Sequence, residues 1–149
     1  MKRVDITSVR DSLNGYQKGK CFYSFHDISI IKGSSDICHV DHFLPHINKK
    51  IHSENGANIN GVWNLVLAHS SMNSMKEKGA KVPDKKYLNR LFNRNEFYIS
   101  SKHPLAETII NQTGKTRKAR KSFLQTQYNI ALENSIVTWR SSDELEGTF

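Results

Sequence analysis

Cysteine, proline and long apolar runs are scarce in this chain, and each scarcity argues against a class of protein. Two cysteines in 149 residues are too few for a disulfide scaffold and suit a reducing compartment. No run of about 18 apolar residues occurs, so we expect no membrane-spanning helix. No apolar core follows Lys2 and Arg3, so we expect no secretory signal. The sequence therefore predicts a cytoplasmic protein without a membrane partner.

Acidic residues are also in the minority. The chain has 14 Asp and Glu against 22 Lys and Arg, a formal net charge of +8, and 37% hydrophobic residues. This composition predicts a single folded domain over residues 1–149 and favours a polyanionic partner, with nucleic acid first. An anionic membrane surface and plain solubility are the explanations that composition alone leaves open.

Strand-like residues dominate the first third of the chain. Residues 21–31 are rich in β-branched and aromatic side chains and predict a strand, and residues 37–43 predict a second one after a polar turn at 32–36. Together they would form a hairpin with Asp41 and His42 near its far end.

The segment that follows mixes loop and helix signals. Residues 46–60 are polar and predict a loop with one helical turn at most, and residues 63–68 form a short apolar run. Ser70 or Ser71 is a good N-cap for a helix that would end at Gly79.

Helical signals dominate the remainder. A short helix is predicted to end near Asn14 and Gly15. Later helices are predicted over 85–100 with Asp84 as N-cap, from Pro104 to Gly114, and over 116–135, before a frayed tail at 141–149. We therefore expect an α+β fold in which residues 84–140 form a basic helical extension.

Three short motifs that carry chemistry follow one another in a fixed order. They are His39-Val40-Asp41-His42-Phe43-Leu44-Pro45, Trp63-Asn64-Leu65-Val66-Leu67 and Asn73-Ser74-Met75-Lys76. Hydrolysis of a phosphodiester needs an activated water and neutralisation of charge, which a histidine base and a divalent ion on oxygen ligands supply.

The first and third motifs contain the residue types that this chemistry needs. Asp41 offers a hard carboxylate ligand and His42 an adjacent general base. The amide oxygen of Asn73 is suited to complete the metal shell. Lys76 would lie on the same helical face as Asn73 and contact a phosphate. Asn64 is suited to hold the loop that sets the orientation of His42.

This pattern resembles the HNH nuclease family. The resemblance covers residues 21–76 and implies a ββα-metal core over residues 20–79, a hairpin and a helix that grip one divalent ion, Mg²⁺ or Mn²⁺. It implies that Asp41 and Asn73 are metal ligands, that His42 is the general base, and that Asn64 orients the histidine loop. His39 occupies a position that is often acidic in the family.

Zinc is a further possibility to weigh. Many HNH proteins carry two Cys-x-x-Cys pairs, but this chain keeps only Cys21 and His69 at those places, so a structural zinc is not expected. Cys38, His42 and His46 are spaced by four and would align on a helix, with His39 or His52 completing a rival zinc site. The strand prediction and Pro45 argue against that helix.

Basic residues are concentrated after the motifs. Residues 76–121 hold thirteen Lys and Arg against four acids. The densest part predicts phosphate contacts by Lys115, Arg117, Lys118, Arg120 and Lys121. The sequence thus predicts a metal-dependent endonuclease that acts on DNA, with RNA as the second choice. It leaves open whether the chain is part of a larger restriction or defence system. The alternative is a non-catalytic nucleic-acid-binding module.

Overall fold

A mixture of five helices and short strands makes up the part of the chain that the computed structural model describes, residues 6–31, 37–74, 76–135 and 138–149. This mixture is compatible with the expected α+β class. The helices are α1 (Ile6–Gln17), α2 (Lys49–Glu54), α3 (Lys85–Ser100), α4 (Ala106–Thr113) and α5 (Arg117–Glu133). The strands are β1 (Cys38–His42), β2 (Leu65–His69), β3 (Val82–Pro83) and β4 (Thr138–Trp139). No helix in these ranges is long and apolar enough to cross a membrane.

An antiparallel pair of strands, β1 and β2, carries the first two motifs. The register sets Asp41 opposite Val66 and His42 opposite Leu65. All four residues of β2 before His69 are buried. The 22 residues from 43 to 64 leave the sheet between the two strands and include a 3-10 turn (His46–Asn48), α2 and a second 3-10 turn (Val62–Asn64). Residues 46–60 therefore hold more helix than the sequence predicts.

The prediction of a strand over residues 21–31 is wrong. The amide of Cys21 donates to the carbonyl of His26 over 2.8 Å, and Phe25 has a positive φ of 62°. The chain therefore turns back on itself here. Its aromatic residues serve the core, since Phe22 and Tyr23 are fully buried. The partner of β1 is consequently β2, and the predicted turn at 32–36 lies outside the described residues.

The prediction of a helix from Ser70 to Gly79 is also wrong. A 3-10 turn over Ser70–Asn73 replaces its start, and the side chain of His69 caps that turn by accepting from the amide of Ser71. The hydroxyl of Ser74 then accepts from the backbone amide of Lys76 over 3.1 Å. Such short-range bonds from serine side chains compete with helix formation.

The predictions of three helices in the C-terminal half are confirmed by α3, α4 and α5. The carboxylate of Asp84 accepts from the amide of Lys86 at the start of α3, and the hydroxyl of Thr116 accepts from the amide of Ala119 at the start of α5. Gly114 ends α4 with a φ of 144°, where an added Cβ would lie 3.0 Å from the Cβ of Ala119. The first helix, α1, runs two residues past Gly15, the predicted end.

The last residues are attached to the body of the protein, so the predicted frayed tail is wrong. β4 pairs in parallel with β3. The amide of Leu145 donates to the carbonyl of Ser24 over 2.8 Å, and Glu144 forms ion pairs with Lys86 and Arg90. The ring centroid of Phe149 lies 4.7 Å from that of Phe25.

Candidate active site at the end of strand β1

Asp41 presents one carboxylate oxygen to the protein interior. Its Oδ2 accepts a 2.7 Å hydrogen bond from the hydroxyl of Tyr23 and lies 3.2 Å from Nζ of Lys78. Within the described residues, Oδ1 has no hydrogen-bond partner, and the side chain is 11% exposed. The carboxylate is thus held through one oxygen, while the other is open to a ligand.

Lys78 is the basic residue of this site, and the sequence analysis missed it. Its side chain is 1% exposed. Besides Asp41, its ammonium donates to the carbonyl of His42 over 2.9 Å and reaches the carbonyl of Gly79 at 3.5 Å. The predicted phosphate ligand Lys76 is exposed, and no helix aligns it with Asn73. No local feature of the sequence distinguishes these two lysines.

Asn73 turns back onto β1. Its side-chain Nδ2 donates to Nδ1 of His39 over 2.7 Å. His39 and Asp41 are two residues apart on one strand, so they share a face at a spacing of roughly 7 Å. The amide oxygen of Asn73 has no partner among the residues that the structure describes. The structure therefore brings Asn73 to the face of β1 that carries Asp41.

His42 lies at the last position of β1, and its ring is held by the loop. Its Nε2 is 2.8 Å from Oδ1 of Asn60, so Nε2 carries the proton and Nδ1 carries the lone pair. The ring of His46 packs edge-on at 5.0 Å between centroids. Burial lowers the pKa of His42 below its ordinary value, and the hydrogen bond to Asn60 opposes this only in part. The ring is therefore neutral near pH 7, as a general base must be.

Asn64 acts on the loop and does not bind His42 itself. Its fully buried side chain accepts from the amide of Leu44 over 2.8 Å and donates to the carbonyls of Leu44 and Ile59 over 3.1 and 3.0 Å. These bonds tie the two ends of the segment between β1 and β2 together. The direct partner of His42 is Asn60, whose role no local sequence signal indicates.

A metal at this face would have few protein ligands. Among the described residues, no three His, Cys, Asp or Glu side chains form a cluster that could hold an ion. The donors available are Oδ1 of Asp41 and the amide oxygen of Asn73, both hard oxygen atoms. Mg²⁺ suits such a set, since it is commonly held by one or two carboxylates and completes its shell with waters and substrate phosphates.

The geometry contradicts the rival zinc site. Cys38 and His42 lie at opposite ends of β1, about 13 Å apart, because a strand rises about 3.3 Å per residue and no helix aligns them. Burial also raises the pKa of the Cys38 thiol, which disfavours the thiolate that zinc requires.

Four of the five predicted phosphate contacts are exposed at the start of α5, three of them on the helix and Lys115 just before its N-cap, Thr116. Lys115, Arg117, Lys118 and Lys121 are exposed. Arg120 is the exception, and its predicted role is wrong. Its side chain is 9% exposed and forms a two-pronged ion pair with Glu96, with bonds of 2.7 and 2.8 Å. It therefore joins α5 to α3 and is not available to a ligand.

Comparisons with protein-family models, with curated proteins and with solved structures give no match to this chain. The HNH interpretation accordingly depends on the motifs and on the geometry around Asp41, His42 and Asn73.

Proposed function

We propose that this protein is a metal-dependent endonuclease of the HNH type that hydrolyses phosphodiester bonds in DNA. One observation carries the proposal. The neutral ring of His42 is held through Nε2, and among the described residues neither its Nδ1 nor Oδ1 of the preceding residue, Asp41, has a hydrogen-bond partner. A proton acceptor and a hard anionic ligand thus occupy consecutive positions at the end of a strand, and the charge of Asp41 acts on the His42 ring.

Each residue of the site has a distinct task in this proposal. Nδ1 of His42 takes the proton of the attacking water, while Asn60 holds the ring in the tautomer that leaves Nδ1 unprotonated. Asn64 keeps the loop closed. Asp41 and Asn73 would hold one Mg²⁺ or Mn²⁺ ion, which when bound neutralises charge on the phosphate and the leaving oxygen.

The exposed cations of α5 support a nucleic-acid substrate. Lys118 and Lys121 are three positions apart on the helix and therefore lie close together on its surface, and Lys115 lies just before the N-cap, Thr116. Such a row binds phosphates without reading the bases, which predicts salt-sensitive and largely sequence-independent affinity.

A plasmid-nicking assay tests the proposal. The wild-type chain should nick supercoiled DNA with Mg²⁺ or Mn²⁺ and lose this activity in EDTA. His42→Ala should abolish nicking and keep the fold, while His26→Ala, at a surface turn, should retain it. Asp41→Asn keeps the acceptor for Tyr23 but should lower metal affinity in calorimetry. Full nicking by His42→Ala would refute the mechanism.

Three other results would modify the proposal. Salt-sensitive DNA binding without nicking under any metal condition would indicate a non-catalytic binding module. Cleavage of single-stranded or structured RNA, but not of plasmid DNA, would change the substrate while keeping the site. A larger assembly that supplies targeting would appear as weak, unselective cleavage by this chain alone.

A further inference from the structure

The charges around Asp41 nearly cancel. Asp41 contributes one negative charge, and Lys78 is its one ion-pair partner within the described residues. The hydroxyl of Tyr23 donates its hydrogen bond to the same carboxylate oxygen that faces Lys78. The opposite charges of Asp41 and Lys78 therefore offset each other before any ligand arrives.

Lys78 is fixed in place. Its ammonium donates to the carbonyls of His42 and Gly79 and forms an ion pair with Oδ2 of Asp41. Its stem is buried, and Nζ lies 5.9 Å from the centroid of the Tyr23 ring. A lysine that is 1% exposed and is held by two hydrogen bonds and an ion pair has little freedom to turn into solvent when a cation approaches. Its ammonium therefore stays beside Asp41.

An ammonium fixed beside Asp41, the one carboxylate that the described residues bring to this site, opposes a divalent ion. The ion would be attracted by Asp41 and repelled by Lys78 at a similar distance, in surroundings that screen charge poorly. Mg²⁺ also gives up its waters reluctantly and binds well only where anionic oxygens are sufficient. A phosphodiester group brings the negative charge that the protein lacks.

We propose that Lys78 makes metal binding depend on nucleic acid, so that the free protein holds Mg²⁺ or Mn²⁺ weakly and gains affinity once a phosphodiester enters the site. This inference rests on the proposed function, because it assumes that a nucleic acid reaches Asp41. Lys78 is then a positioning residue that fixes Asp41 and sets the charge of the site.

Binding of Mn²⁺, followed by electron paramagnetic resonance and calorimetry, tests this without any cleavage. Lys78→Met removes the charge at similar length and should raise the Mn²⁺ affinity of the free protein by about tenfold or more. Lys78→Arg keeps the charge and should leave the affinity at the wild-type value. Lys76→Met, at the exposed neighbour, is the matched control and should do the same.

A second titration uses a phosphorothioate duplex that resists hydrolysis, with the duplex alone as blank. In the wild type the duplex should raise Mn²⁺ affinity about tenfold, and in Lys78→Met the gain should be much smaller. Circular dichroism checks the fold of each variant. If Lys78→Met does not fold, Lys78→Gln and the wild-type titrations decide the question.

The outcomes separate this inference from the nuclease proposal. Equal Mn²⁺ affinity of the wild type with and without duplex would overturn the inference, as would unchanged or weaker affinity in a folded Lys78→Met. Absence of nicking by the wild type, together with the expected Mn²⁺ results, would overturn the nuclease and leave the role of Lys78 standing.

Discussion

Asn60 holds the ring of His42 by one hydrogen bond, with 2.8 Å between Oδ1 and Nε2. The two residues are 18 positions apart and belong to β1 and to the loop that returns to β2. This contact determines which ring nitrogen carries the proton. The ability of His42 to act as a base therefore depends on the conformation of the loop.

Replacing Asn60 should impair catalysis more than binding. In Asn60→Ala the ring loses its fixed tautomer and orientation, so we expect kcat to fall about 10- to 100-fold, part of what a positioned base contributes. The KM for DNA should change little, because Asn60 is not among the residues proposed to contact phosphates. Single-strand nicking kinetics measure both constants, and Asn111→Ala, at an exposed position of α4, is the control. An unchanged kcat would show that the loop does not orient the base.

Local signals explain which helices were predictable. Asp84 and Thr116 mark helix starts through bonds to residues two and three positions away, and Gly114 marks a helix end through its own backbone angle, so the sequence contains the information directly. The strand predicted at 21–31 failed for a different reason. Its aromatic residues are buried in turns, and composition alone does not distinguish a buried turn from a strand.

Of the residues in the candidate site, only those that belong to one of the three sequence motifs could be identified from the sequence. Asp41, Asn64 and Asn73 can be identified from their motifs. Asn60 and Lys78 acquire their roles from contacts with residues 18 and 37 positions away along the chain. Lys76 and Lys78 differ only in where the turn after Asn73 directs them. That direction is set by tertiary packing, which a single sequence does not encode locally.

Removing the Asn64 side chain should destabilise the loop between β1 and β2. Asn64→Ala leaves the backbone groups of Leu44 and Ile59 without their buried partner, so we expect the free energy of unfolding to fall by about 2–4 kcal/mol. Urea denaturation measures this. Asn134→Ala, which removes one exposed bond to the carbonyl of Ile130, is the control. A loss no larger than that of the control would mean that other contacts hold the loop.

Asp84 should make stability depend on pH in the acid range. The backbone hydrogen bond from Lys86 is the main cause that lowers the pKa of Asp84 below 3.8, and Arg140 adds to it. The unfolded chain therefore binds more protons in this window, so the stabilisation is complete above pH 3.8 and is lost as pH falls through the lower folded value.

Two substitutions isolate this effect. Asp84→Ala should cost about 1 kcal/mol at neutral pH, because α3 loses its N-cap. Asp84→Asn keeps a capping oxygen without a titrating group, so its stability should vary less with pH than that of the wild type. Thermal unfolding followed from about pH 2 to pH 7 compares the three chains. Identical pH profiles for the wild type and Asp84→Asn would contradict the prediction.

Substitutions at Arg120 and Lys118, which lie on the same helix, should affect stability and nucleic-acid binding separately. Arg120→Ala breaks the two-pronged pair with Glu96, so we expect a loss of about 2–4 kcal/mol in unfolding free energy and unchanged DNA affinity in the folded protein. Lys118→Glu changes an exposed residue and should alter stability by less than about 0.5 kcal/mol.

The DNA affinity of Lys118→Glu should fall instead, and the slope of log affinity against log salt should decrease by about one, because one phosphate contact is lost. Fluorescence anisotropy over a range of salt concentrations gives both quantities. Since both residues lie on α5 only two positions apart, a general effect of charge would lower the affinity of both variants, although Arg120→Ala removes one charge and Lys118→Glu changes it by two. A lower salt slope in Arg120→Ala, with none in Lys118→Glu, would place the phosphate contacts on the inner face of α5 and contradict the assignment made from burial.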